Sequence, residues 1–212
     1  MKILNLYAGI GGNRKLWGDQ DEITAVELDP KIAQIYQDFF PKDKVIVADA
    51  HQYLLDHFEE FDFIWSSPPC PSHSHIRKEL GVGTGQSKPI YPDMKLYEEI
   101  LLLQHYFKGK FVVENVVSFY KPLVQPQEIA KHYFWANFYI QPIEKKSRQH
   151  KTLGGRKILQ ALKGFNLDKY KYAGVDKRML LRNCVEPETG LHIFQCAFTK
   201  NRQQTIISKL LW

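Results

Sequence analysis

The 212 residues are 44% hydrophobic and 25% charged, enough apolar material for one sizeable core, which excludes a disordered or fibrous chain and predicts one domain with an appended region. No run approaches the ~20 apolar residues of a membrane span, and Met1-Lys-Ile-Leu-Asn5 enters a strand without the charged and apolar regions of a signal peptide, so a soluble cytoplasmic protein with no membrane partner is expected. Three cysteines, Cys70, Cys184 and Cys196, exclude an even disulfide framework and show no paired metal spacing.

Ile3 to Tyr7 reads as the first strand, and it runs into Tyr7-Ala-Gly-Ile-Gly-Gly12, a turn whose glycines let a ligand approach the backbone. The turn fails as a dinucleotide fingerprint because Arg14 stands where the third glycine belongs, and no phosphate-loop Lys-Ser or Lys-Thr follows. A short helix over Asn13 to Gly18 leads to a strand, Ile23 to Glu27, whose terminal Glu27 can accept both hydroxyls of a ribose. Asp29-Pro30 supplies an N-cap and a first-turn proline for a helix to Phe39. The strand Lys44 to Ala48 ends at Asp49, which can accept from an exocyclic amine, and a helix from His51 to Phe58 follows. Glycine turn, acid and acid describe an adenosine site without a pyrophosphate, and S-adenosylmethionine is the candidate cofactor. Taken singly, the turn is equally a structural feature and each acid a helix cap.

Phe61 to Trp65 is a fourth strand, and Pro69-Cys70 follows it. A long Gly, Ser and Pro segment, Ser66 to Tyr91, reads as a lid or binding loop. Pro92-Asp93 opens a helix to Phe107, and the strand Phe111 to Val113 ends in Glu114-Asn115-Val116. The alternation implies a doubly wound parallel α/β sheet. A soft nucleophile and a carboxylate that each terminate a buried strand then share one rim, an arrangement suited to attack on a flat heterocycle. Alone, Cys70 would read as an ordinary buried thiol, the commonest fate of a lone cysteine, and Cys70, His73 and His75 offer zinc-ligand types without a clear fourth ligand. Tyr133-Phe134-Trp135 reads as an apolar anchor.

Residues 141–180 hold eleven Lys or Arg against Glu144, Asp168 and Asp176, a net +8, so with +6 overall the remainder carries −2. A neutral-to-acidic body with one basic region is the pattern of a catalytic domain that leans on a polyanion. The expected divisions are a catalytic and cofactor-binding domain over 1–140, a small basic region over 141–180, and a return to the catalytic domain over 181–212.

In this order the motifs resemble the DNA (cytosine-5)-methyltransferase family. Its aromatic-Ala-Gly-x-Gly-Gly motif matches Tyr7 to Gly12, its ribose-binding Glu matches Glu27, and its adenine-binding Asp matches Asp49. The Pro-Cys nucleophile motif with a following Ser matches Pro69, Cys70 and Ser74, and Glu-Asn-Val stands intact at Glu114 to Val116. Arg182-Asn-Cys-Val-Glu-Pro187 looks like the family's last motif. The resemblance implies a Rossmann-like S-adenosylmethionine-dependent methyltransferase with a reduced basic target-recognition region, yielding S-adenosylhomocysteine and 5-methylcytosine in double-stranded DNA. Cys70 is then the nucleophile and Glu114 assists at ring nitrogen 3. Tyr7, Ala8, Gly9, Gly11, Gly12, Glu27, Leu28, Asp49, Ala50, Pro69, Leu96, Asn183 and Cys184 become the expected cofactor-binding residues. Ser74, Arg77, Lys88, Lys131, His132, Arg148, Lys151 and Arg156 become the expected nucleic-acid contacts, with no metal.

Three departures stand out. Pro71 follows the cysteine where many members have Gln, Arg182 replaces a glycine, and the Arg-x-Arg motif aligns with Ala130-Lys131-His132. Lys131, His132 and Arg148 are the candidates to replace those arginines. A cognate restriction endonuclease is the partner such an enzyme suggests. The rival readings are a cytosine-5 methyltransferase of transfer RNA and a catalytically silent DNA-binding subunit.

Overall fold

The structure, a computed structural model, describes residues 1–143 and 155–199. Seven strands among these residues form one sheet: β1 (Lys2–Leu6), β2 (Glu22–Glu27), β3 (Lys44–Val47), β4 (Phe63–Ser66), β5 (Lys110–Val116), β6 (Gln127–Ile129) and β7 (His132–Ala136). Their order is β3-β2-β1-β4-β5-β7-β6. The first five pair in parallel, while β7 runs antiparallel to β5 and to β6. The chain reverses its direction of winding between β1 and β4, so a crevice opens at their carboxyl ends.

Helices cover both faces. Along β1, Leu4 and Leu6 face a core shared with α2 (Ala50–His57) and α3 (Lys95–Tyr106), which contribute Leu54, Leu96, Ile100 and Leu103. Ile3 faces the other side, where Trp17, Phe63 and Trp65 pack against Ile193 and Phe194 of α6 (Pro187–Phe198). On that side α1 (Pro30–Phe39) meets α4 (Arg156–Lys163) and α5 (Lys177–Asn183) around Tyr36, Phe40, Leu159, Phe165 and Leu181. The described part of the basic region therefore shares a core with α1. No helix of the described residues is long and apolar enough to cross a membrane.

The doubly wound α/β architecture stands, with an addition: an antiparallel β6–β7 hairpin completes the sheet. Tyr133-Phe134-Trp135, read as an anchor, is the middle of β7, with Phe134 in one core and Trp135 in the other. Both neighbours are buried, so the strand lacks the apolar-polar alternation that would have announced it. The Ser66–Tyr91 segment is not wholly irregular either, for Arg77–Val82 forms a π-helical stretch.

Candidate active site

The crevice holds a cavity of about 350 Å³ walled by Tyr7, Glu27, Leu28, Asp49, Ala50, Pro68, Pro69, His73, Asp93, Lys95 and Leu96. Seven of the expected cofactor residues meet there: Tyr7, Glu27, Leu28, Asp49, Ala50, Pro69 and Leu96. Glu27 is held by backbone donors, its two oxygens accepting from Gly9 N–H at 2.9 Å and Asp29 N–H at 3.1 Å. Each oxygen keeps a lone pair for a ligand hydroxyl. Asp49 caps α2 through His51 N–H and lies 3.8 Å from the Lys95 ammonium. Backbone hydrogen bonds and Lys95 hold its carboxyl below the usual range against the opposing effect of burial.

The remaining expected residues of this group stand outside the cavity wall. Gly9 has φ +55°, and a side chain there would meet nothing within 4 Å, so the turn backs onto open space. Ala8 is buried, and an added Cβ at Gly11 would strike the Tyr36 and Phe40 rings. At Gly12 it would strike Cys184 Sγ and the Val185 backbone, so the segment after α5 lies directly on the glycine turn. Asn183 is exposed, while burial pushes the Cys184 thiol up to about 12, which makes it an inert core group. The cavity fits a nucleoside: of its three carboxylates Glu27 and Asp49 suit hydroxyls and an amine, apolar walls suit a ring, and Lys95, the one Lys or Arg among the described residues of the wall, is already beside Asp49.

The catalytic candidates meet on the neighbouring stretch of the rim. Cys70 follows β4, is half-buried, and its thiol is pushed above its usual value by burial and then by the Glu114 carboxylate. Glu114 lies in β5 with a side chain 13% exposed. Burial raises its carboxyl, and a neighbouring His132, the Ser67 hydroxyl and Lys163 pull the other way. Ser67 accepts from the Trp65 indole N–H at 2.9 Å, which leaves its own hydrogen for Glu114. His132 Nε2 stands 3.7 Å from Glu114 Oε1.

Sequence reasoning named Asn115 and His73 but gave neither the holding role that it has here. Asn115, buried, donates from Nδ2 to the Pro68 carbonyl at 3.0 Å and accepts from Val116 N–H, tying the cysteine loop to β5. Beyond Cys70 the loop is pinned again, by Phe119 N–H on the His73 carbonyl and by a 2.6 Å bond between His73 Nδ1 and the Tyr120 hydroxyl. Beneath the cavity, buried Glu99 accepts from Tyr7 Oη and Ser66 Oγ, both at 2.6 Å, and pairs with His51 Nδ1 at 3.0 Å. That network fixes Tyr7, which sits at φ +53°.

The expected nucleic-acid contacts disperse. Ser74 bridges to Ser118, Arg77 donates to the Lys88 carbonyl at 3.3 Å, and Lys88 and Lys131 are exposed. Arg156 pairs with Asp168 at 3.2 Å. Arg148 and Lys151 lie outside the described residues. His73 and His75 do not converge with Cys70 on a metal: His73 is tied to Tyr120 and His75 lies 3.5 Å from Glu79.

A family model for C-5 cytosine-specific DNA methylases matches residues 1–132. No curated protein matches the chain. Among solved structures, the chain is similar to a hypothetical protein of Thermus thermophilus, at 16% identity and a TM-score of 0.43 over 64% of this chain and 73% of that one. It is similar to DNMT2 of Spodoptera frugiperda at 28% identity and a TM-score of 0.37, over 54% of this chain and 35% of that one. A third likeness is to a SAM-dependent methyltransferase of Agrobacterium tumefaciens, at 14% identity and a TM-score of 0.40, over 57% of this chain and 40% of that one. The chain thus spans well under half the length of the last two.

Proposed function

The chain belongs to the C-5 cytosine-specific DNA methylase family, and we propose on that basis that it methylates carbon 5 of cytosine in DNA, with Cys70 as nucleophile and Glu114 as the acid at ring nitrogen 3. The observation that carries this reading is the half-buried thiol beside a buried carboxyl, each raised by desolvation, the thiol further by the carboxylate's charge. S-adenosylmethionine, when bound, supplies an electrophilic methyl group on a sulfonium centre. Glu27 and Asp49 would hold its ribose and its exocyclic amine, with Leu28, Ala50, Pro69 and Leu96 around the ring.

Carbon 5 of cytosine is a poor nucleophile, so the ring must first accept an addition at carbon 6. The Cys70 thiolate forms that bond, and the electron pair it pushes into the ring is drained by a proton that Glu114 holds on nitrogen 3. The two groups support each other. While Glu114 keeps its proton it carries no charge, and the repulsion that raises the Cys70 thiol is absent. The adduct gives carbon 5 the electron density of an enamine. With the cofactor bound, that carbon would take the methyl group, the electron pair of the broken sulfur–methyl bond staying on sulfur, and loss of the carbon 5 proton to a base with expulsion of Cys70 then restores the aromatic ring.

Inside a duplex the target atom is out of reach, so the cytosine must leave the stack at a cost of a few kcal/mol. The segment 71–91, which carries Ser74, Arg77 and Lys88, is the natural lid over it. A recognition region as small as 141–180 presents few base-reading side chains, which favours a short or loosely read target sequence.

The test is transfer of labelled methyl to unmethylated duplex DNA, with structured RNA in parallel. Product at carbon 5 of cytosine in DNA is expected, abolished in Cys70→Ala and slowed by about 10²-fold or more in Glu114→Gln. Transfer to RNA alone would change the substrate and keep the mechanism, and tight DNA binding without transfer would mark a silent subunit.

A further inference from the structure

The turn between β6 and β7 is built against its residues' preferences. Ile129 pairs with His132, so Ala130 and Lys131 alone make the connection, at φ +50° and +70°. A two-residue hairpin of this shape favours Asn-Gly, because both positions lie in the left-handed region that Cβ disfavours. Neither residue here is suited to it. A strained placement of this kind persists when the surrounding structure demands what it positions.

What it positions is the first residue of β7. His132 pairs across the ladder with Val116, and Glu114 pairs with Phe134, so His132 and Glu114 are diagonal neighbours on one face of the sheet. The imidazole is 47% exposed and the carboxyl 13%, with Nε2 3.7 Å from Oε1. Glu114 is also faced by the Ser67 hydroxyl and Cys70 from the segment after β4, and by Lys163 from α4. Lys163 is committed elsewhere, donating to the Cys184 carbonyl and pairing with Glu186 at 3.1 Å. Among the described residues His132 is thus the basic side chain that is open to solvent and stands beside the acid. Lys131 is exposed at the tip of the turn.

We propose that His132 is a positioning residue that sets when Glu114 carries its proton: a neutral imidazole leaves Glu114 as the acid, and an imidazolium holds it as the carboxylate. The proposal rests on Glu114 acting as an acid toward the target ring. An imidazole changes charge within the physiological pH range, whereas an arginine would be cationic throughout it. From 3.7 Å His132 thereby biases the proton affinity of the acid, a role distinct from the nucleic-acid contact expected from sequence.

The experiment follows the protonated-carboxyl infrared band of Glu114, in protein carrying carboxyl-labelled glutamate, from about pH 4 to 9. Its absence from Glu114→Gln assigns the band, and His132→Gln and His132→Arg are compared with the natural chain. The band is expected to survive to higher pH in His132→Gln and to vanish at lower pH in His132→Arg, the two midpoints about one unit or more apart. Coincident midpoints in all three proteins would overturn the proposal. Methyl-transfer rates run against pH in the same proteins separate the two readings. An inactive natural chain with shifted bands overturns the function and leaves the pairing, and an active one with unshifted bands does the reverse.

Discussion

Asn115 and Asn137 do the same physical work at opposite ends of β5, and they separate what stabilises the sheet from what arranges the chemistry. Asn115 joins the carboxyl end of the strand to the Pro68 carbonyl at 3.0 Å. Asn137 joins the other end to the Gly109 carbonyl at 2.8 Å, and its own Oδ1 accepts from Phe111 N–H at 3.2 Å. Truncating either to alanine strands a carbonyl in a poorly solvated place, at a cost of about 1–3 kcal/mol. Urea midpoints of Asn115→Ala and Asn137→Ala should therefore fall by similar amounts. Activity should not follow stability. Cys70 is two residues from the carbonyl that Asn115 fixes, so kcat/KM at a temperature where both variants are folded should drop sharply in Asn115→Ala alone. Equal losses would mean that the cysteine loop is placed by the His73 and Tyr120 clamp instead.

At the scale of elements, α2 shows how one side chain can serve structure and ligand together. Asp49 Oδ1 accepts from His51 N–H and Gln52 N–H, the ordinary work of an N-cap, while the residue also walls the cavity. Asp49→Ala should lose about 1 kcal/mol of stability along with any ligand contact. Asp49→Asn discriminates, because asparagine caps as well as aspartate but turns an N–H donor toward a ligand amine that is itself a donor. Its melting temperature should stay near that of the natural chain while calorimetric affinity for S-adenosylhomocysteine falls ~10-fold or more. Unchanged affinity would leave Asp49 a cap and nothing else. The same helix marks the limits of legibility. α1 and α2 were readable because Asp29-Pro30 and Asp49 announce their starts, and β1, β2 and β4 because their apolar runs are bounded by turns. Glu99 was not, since the second of two adjacent glutamates on a helix reads as solvent-facing until the fold brings Tyr7, Ser66 and His51 to it. Nor was α4, whose eight residues carry three Lys or Arg and owe their burial to Phe165 and to α1. The strand ends that place Cys70 and Glu114 are local patterns; the clamps that hold them are tertiary.

Over the whole molecule, charge counted along the sequence overstates charge available to a partner. Of the seven Lys and Arg described between 155 and 180, Lys163 is buried on Glu186, Arg156 pairs with Asp168, and Lys169 pairs with Asp38 at 3.2 Å. Lys177 donates to the Asp168 carbonyl at 3.5 Å. Lys157, Lys171 and Arg178 are exposed and have no ion pair among the described residues. Binding to a nucleic acid releases condensed counterions, and the logarithm of affinity falls with the logarithm of salt by about 0.9 for each duplex phosphate neutralised. Only free cations contribute without first breaking an internal bond. Replacing Lys157, Lys171 and Arg178 together by Gln should therefore flatten the salt dependence of duplex binding by up to ~2.7, three contacts at that slope, with little change in thermal stability. Replacing Arg156, Lys163 and Lys169 should do the opposite, lowering the melting temperature through Lys163 and leaving the slope nearly unchanged. Fluorescence anisotropy across a salt series reads both. A steeper loss in the second set would mean that those internal pairs open on the nucleic acid, so that Asp38, Asp168 and Glu186 act as placeholders for phosphate.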